Sequence, residues 1–136
     1  MKALSIKQPW AYLVVSGAKP IENRTWRTSW RGPLLIHASK EIDQDGFDDA
    51  EDKFGAIDRR GLVLGAIIGI ADLVEVIKRG QSFSWHLANP QRFKQPIACP
   101  GRLMLWTPPP AVIRATAAAA SGVVRQGDDF NSAGQR

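Results

Sequence analysis

Apolar and polar positions alternate over residues 2–7, with Ala3, Ser5 and Lys7 set against Leu4 and Ile6, and predict a short strand. The period then lengthens. Trp10, Leu13 and Val14 fall on one helical stripe, Pro9 suits a first turn, and Gly17 suits the left-handed position after a helix end. Residues 19–26 read as a second strand and residues 27–33 as a turn carrying Trp30 at its tip between Arg27 and Arg31. Residues 34–40 read as a buried strand that ends in the polar pair Ser39 and Lys40. Phe47, Ala50, Glu51 and Phe54 at helical spacing predict a helix over 43–54. The β-branched run over 61–78 is the strongest strand signal, and Gly65 and Gly69 within it predict bulges or bends. Residues 79–95 read as a polar loop that carries Phe83, Trp85, His86 and Phe93, and residues 102–106 as a last strand. Pro108, Pro109 and Pro110 stop that strand. Residues 108–136 read as a Pro/Ala/Gly-rich tail, with a helical piece near 115–120 and a disordered end from residue 122.

At 136 residues the chain is long enough for one domain with a real core, and its 44% hydrophobic and 23% charged residues fit a globular fold. No apolar run reaches the roughly 18 residues needed to span a bilayer. The start of the chain lacks an apolar stretch of signal-peptide length. One cysteine, Cys99, allows no internal disulfide. These features imply a cytoplasmic protein with no membrane partner.

Charge changes the picture more than its total of +5 suggests. Residues 1–40 hold seven lysines and arginines against the single acid Glu22, whereas residues 41–58 hold eight acids and only Lys53. A two-signed surface follows, its positive side suited to a polyanion. The acidic helix reads as a solvated face, or, like the C-terminal tail, as a surface for a protein partner. It lacks the glycine and terminal glutamate spacing of a calcium loop, so no metal or cofactor is implied.

The candidate chemistry concentrates in Gly17-Ala18-Lys19-Pro20-Ile21-Glu22-Asn23-Arg24-Thr25-Trp26. Strand alternation sends Glu22, Arg24 and Trp26 the same way. An Arg fork and a carboxylate on one face can read a base edge while an indole stacks on it. The competing reading is a solvated ion-pair ladder. Trp30, at an exposed turn or folded back over the core, offers a second stacking surface. Trp85 and Asn89 offer a stacking wall and an edge reader. His37 is either a general base or a hydrogen-bonded core residue. Ser39 lies at a strand end, where a ligand is met more readily.

Gly17, Lys19, Glu22 and Arg24 fall on a G-x-K-x-x-E-x-R pattern that resembles the ASCH domain of the PUA-like superfamily. Three flanking segments, at residues 4–11, 32–38 and 65–72, are similar to the family in the same order. The resemblance implies an α+β fold, a small PUA-like β-barrel of about five or six strands surrounded by two or three helices, over residues 1–107. It implies a cleft beside the motif; with the residues read above, Lys7, Gln8, Trp10, Lys19, Glu22, Arg24, Trp26, Trp30, Ser39, Trp85 and Asn89 form the candidate ligand-binding set. The expected function is binding of RNA, other nucleic acid or a modified nucleoside.

The alternative is catalysis in the same cleft by Lys19 and Glu22. One form is an amidohydrolase acting on N4-acylated cytidine-type nucleosides; the other is a metal-independent ribonuclease that also uses His37. In the small deacylating relatives a threonine nucleophile lies three residues after the lysine. Glu22 stands there in this chain, and a carboxylate is no ready substitute for a hydroxyl in amide hydrolysis.

Overall fold

The structure is a computed structural model that describes residues 1–124. Strand β1 (Lys2–Gln8) leads into helix α1 (Trp10–Val15), followed by β2 (Ile21–Arg24) and β3 (Gly32–Ile42). Helix α2 (Phe47–Phe54) and a single 3-10 turn at Arg59–Gly61 precede β4 (Ala66–Arg79), β5 (Ser82–Ala98) and β6 (Leu105–Trp106). Helix α3 (Pro110–Ala119) and strand β7 (Val123–Val124) follow. Gly17 has φ +87°, the left-handed conformation expected where the chain leaves α1.

The strands form one mixed seven-stranded sheet in the order β2-β5-β4-β3-β1-β6, with β7 added beside β5. Among the described residues only β1 and β3 run parallel, Leu4 opposite Ile36. The hydrogen-bonded path is open, so the ladder is not the closed barrel of five or six strands expected. A side chain links the β2 end of the path to β1 instead: Arg24 on β2 donates from Nη2 to the backbone carbonyl of Ser5 on β1 at 3.0 Å.

Both faces of the central strands are covered, which is why residues 34–38, His37 included, are buried without alternation. Leu4, Ile6, Leu34 and Ile36 join Val14, Val15 and Trp85 in one core. Ala3, Leu35, Ile67, Phe93 and Trp106 form a second, over which Val112 and Ala119 of α3 pack. The Ala-rich segment after the prolines thus closes the second face. Strand β7 pairs with Phe93 and Arg92 of β5. Ordered structure therefore reaches past residue 107. Residues 125–136, most of the expected disordered end, lie outside the described residues.

Residues 82–98 correct the loop expected over 79–95. They form the longest strand, whose first half pairs with β2 on one edge and β4 on the other. Its polar side chains are compatible with a strand because two neighbouring ladders satisfy its backbone. Its prolines sit where the register breaks. Asn89 (φ +51°) and Pro90 fall between the Ala88–Asp72 and Gln91–Ile70 pairs, an irregularity of the bulge kind. Gly69 lies at another shift of the β4–β5 register. A side chain at Gly69 would collide with the carbonyl of Gln91 and with Val15, so glycine is required for this close approach.

Candidate functional site

A cleft of about 590 Å³ opens between the end of β1, the motif segment and α2. Its volume lies in the roughly 300–1,000 Å³ range of small-molecule sites. Glu22 is its organising group. Glu22 is buried, and its two carboxylate oxygens serve two different cations. Oε1 accepts from Lys19 Nζ at 3.1 Å. Oε2 accepts from Arg24 Nε at 3.0 Å and lies 2.8 Å from Arg24 Nη2. Lys19 Nζ also donates to the carbonyl of Ile21 and sits 5.7 Å from the centre of the Trp10 ring. Two cations against one carboxylate leave the floor with a net positive charge, held in place by charge-assisted bonds.

Trp10, at the start of α1, forms the aromatic wall. Its Nε1–H donates to Asp43 Oδ2 at 2.9 Å, which sets the ring plane. That bond, with a smaller share from the backbone N–H of Gly46, holds the Asp43 carboxyl below its ordinary range. Asp43, Glu41 and Ser39 also line the cleft, and Lys7 lies 3.6 Å from Glu41 in an exposed pair. Phe54 at the end of α2 and Leu103 in the loop before β6 also line the cleft.

Of the expected ligand set, the fold brings Lys7, Trp10, Lys19, Glu22, Arg24 and Ser39 to this cleft. It places the others elsewhere. Trp85 is fully buried in the core and donates from Nε1 to the carbonyl of Trp26. Trp26 packs edge-on against Trp85, with centroids 4.7 Å apart, because β2 ends at Arg24 and the strand alternation stops before Trp26. Trp30 folds back over the same core and donates to the carbonyl of Pro33. Gln8 is buried, with Nε2 bonded to the carbonyl of Val63 and Oε1 to the N–H of Tyr12. Asn89 is at the β5 irregularity, where Nδ2 donates to Asp72 Oδ2 at 3.0 Å. Sequence reasoning missed Phe54, Asp43 and Leu103 as cleft residues. Only the helical stripe of residues 43–54 hinted at the first two.

His37 is buried behind the cleft. Its Nε2 lies 2.8 Å from the carbonyl of Cys99, which can only accept, so Nε2 carries the proton. Nδ1 then accepts from the Ser5 hydroxyl at 3.1 Å, while Ser5 Oγ accepts from Trp106 Nε1 at 3.3 Å. Burial lowers the His37 pKa below 6.5, against a smaller raising effect of the Cys99 bond. The fold therefore prefers neutral His37, and the unfolded chain takes up the proton more readily. The resulting stability is complete above about pH 6.5 and declines as pH falls through the lowered folded value. Urea midpoints between pH 8 and 5 should fall in this window, and less so in His37→Gln; equal slopes for the two proteins would refute it.

The mixed sheet, its three flanking helices and the cation–carboxylate–cation floor define an ASCH-like α+β domain. The sequence model of the ASCH domain matches residues 4–99, and the chain belongs to that family. It is similar to activating signal cointegrator 1 of Homo sapiens, with 29% identity over 85 residues that cover 57% of this chain and 15% of the relative. The Mus musculus protein of the same name is 26% identical over 124 residues, 76% of this chain and 21% of the relative. The chain thus matches about a fifth or less of these relatives' length. Its fold is similar to the crystal structure of ASCH from Zymomonas mobilis, with TM-score 0.58 and 13% identity, covering 91% of this chain and 96% of the other. No helix among the described residues is long and apolar enough to cross a membrane.

Proposed function

We propose that the cleft binds one nucleotide unit of RNA, or a modified nucleoside or nucleotide. The observation that carries this reading is the floor: Lys19 and Arg24, pre-organised by Glu22, share the cleft with the fixed indole of Trp10, and Lys19 Nζ lies near that ring. The two cations suit phosphate or carbonyl oxygens and the indole suits a base face. Around them the charges nearly balance. Lys7, Lys19, Arg24 and Lys53 stand against Glu22, Glu41 and Asp43. Such a lining favours one unit held at a point over a groove that tracks many phosphates. Binding is favoured over hydrolysis because the Glu22 carboxylate is held by a cation on each oxygen, the arrangement of a fixed anchor for Lys19 and Arg24.

The test is a titration with a short single-stranded RNA and with cytidine 5′-monophosphate at several salt concentrations, followed by analysis for product. One or two phosphate contacts predict a log–log salt slope between about −0.7 and −1.4 for the RNA. Loss of one charged contact in Lys19→Ala or Arg24→Ala should weaken binding roughly tenfold or more. Affinity that ignores both salt and these substitutions would sink the reading. Product formation that stops in a folded Lys19→Ala protein would replace it with catalysis.

A further inference from the structure

Leu103 is the most exposed large apolar side chain described, with 91% of its surface accessible, yet it lines the cleft. Its position is built rather than incidental. The next residue, Met104, has φ +63°, a left-handed conformation that is unusual for a side chain of this size. Strained backbone of this kind persists where surrounding contacts over-determine it, and it concentrates at ligand-contacting segments. The loop is anchored from beneath on both sides of the turn. Cys99 offers its carbonyl to His37 Nε2 at 2.8 Å. Gly101 lies so close to the buried Ser5–His37 pair that a Cβ there would fall 2.6 Å from His37 Cε1 and 2.7 Å from Ser5 Oγ. On the far side Leu105 and Trp106 pair with β1. A segment held at three points thus presents an apolar side chain to a cleft whose floor is charged.

The other apolar contributions come from different elements. Trp10 is locked by Asp43, and Phe54 projects from the end of α2. A phosphate or ribose has no use for such a wall; a flat heterocycle does, because its faces are apolar and its edges polar. We propose that Leu103 is a ligand-contacting residue, the apolar wall against which the base of a bound nucleotide packs while its phosphate meets Lys19 and Arg24. This rests on the nucleotide reading above and adds the subsite for the base.

The experiment compares two probes that share the phosphate, cytidine 5′-monophosphate and ribose 5-phosphate. Leu103 is exposed, so Leu103→Ala should fold normally. It should weaken the mononucleotide about tenfold, the scale of uncovering one leucine face, and leave ribose 5-phosphate within twofold. Leu103→Trp, with a larger flat surface, should tighten the mononucleotide severalfold and leave ribose 5-phosphate unchanged. Mononucleotide binding that falls in Lys19→Ala but ignores both Leu103 variants would overturn the subsite and leave the nucleotide reading standing. Equal weakening of both probes by Leu103→Ala would overturn it as a loop distortion. Absence of mononucleotide binding to the unaltered protein would remove both readings.

Discussion

Replacing Trp85 by alanine is expected to cost the fold about 4 kcal/mol, within the range for emptying a large aromatic from a core. The side chain has no accessible surface, and its strand lies between β2 and β4. On β5 it stands opposite Glu22 of β2 and Val76 of β4, and its indole N–H donates to the Trp26 carbonyl. The edge-on contact with Trp26 adds to the loss. For a domain of this size the melting temperature should fall by roughly 15 °C. Trp85→Phe separates packing from ligand contact. It keeps most of the volume, loses the bond to Trp26, and should bind nucleotide within twofold of the unaltered protein. A tenfold loss of affinity in a folded Trp85→Phe protein would show that Trp85 meets ligand after all.

The second large effect is expected at Glu22. Glu22→Ala removes the only carboxylate between Lys19 and Arg24, whose side chains are 15% and 23% accessible. Two cations are then left facing one another with their desolvation uncompensated, at a cost of roughly 3 kcal/mol. The loss reaches further than the cleft, because Arg24 also ties β2 to the Ser5 carbonyl of β1. A double-mutant cycle of Glu22→Ala and Arg24→Ala, read by urea denaturation, should show coupling of about 1–3 kcal/mol. Strict additivity would mean that the pair contributes nothing to stability and would leave the motif only the ligand role proposed for it. The same triad therefore closes the seam of an open sheet and forms the floor of the cleft. Ion pairing and ligand binding by the motif are compatible in this geometry.

The limits of legibility follow from particular residues. The motif at residues 17–26 could be read because its spacing places Glu22 and Arg24 on one side of a short strand, and they meet in the structure. The alternation stopped being informative at Trp26, where no ladder enforces it. Residues 82–98 defeated period counting. Their polar composition imitates a loop, while pairing on two edges makes them a strand. Leu103 carried no local signal at all. A leucine between Arg102 and Met104 is ordinary in sequence, and only the folding of 99–104 onto His37 brings it to the cleft.

Local chemistry along the chain thus determined what residues nearby can decide: the strand and helix periods, the turn after α1, the charge asymmetry between residues 1–40 and 41–58, and the Lys19–Glu22–Arg24 motif with its family. Tertiary structure alone decided which tryptophan meets solvent and which fills the core. It also decided which of two cations each Glu22 oxygen serves, and that α3 and β7 continue the fold. The physical reason is that burial and ion pairing depend on groups from distant parts of the chain. Trp85 is buried by β2 and β4, and Ser5 is bonded to Arg24 nineteen residues on and to His37 thirty-two residues on, partners that no local pattern can specify.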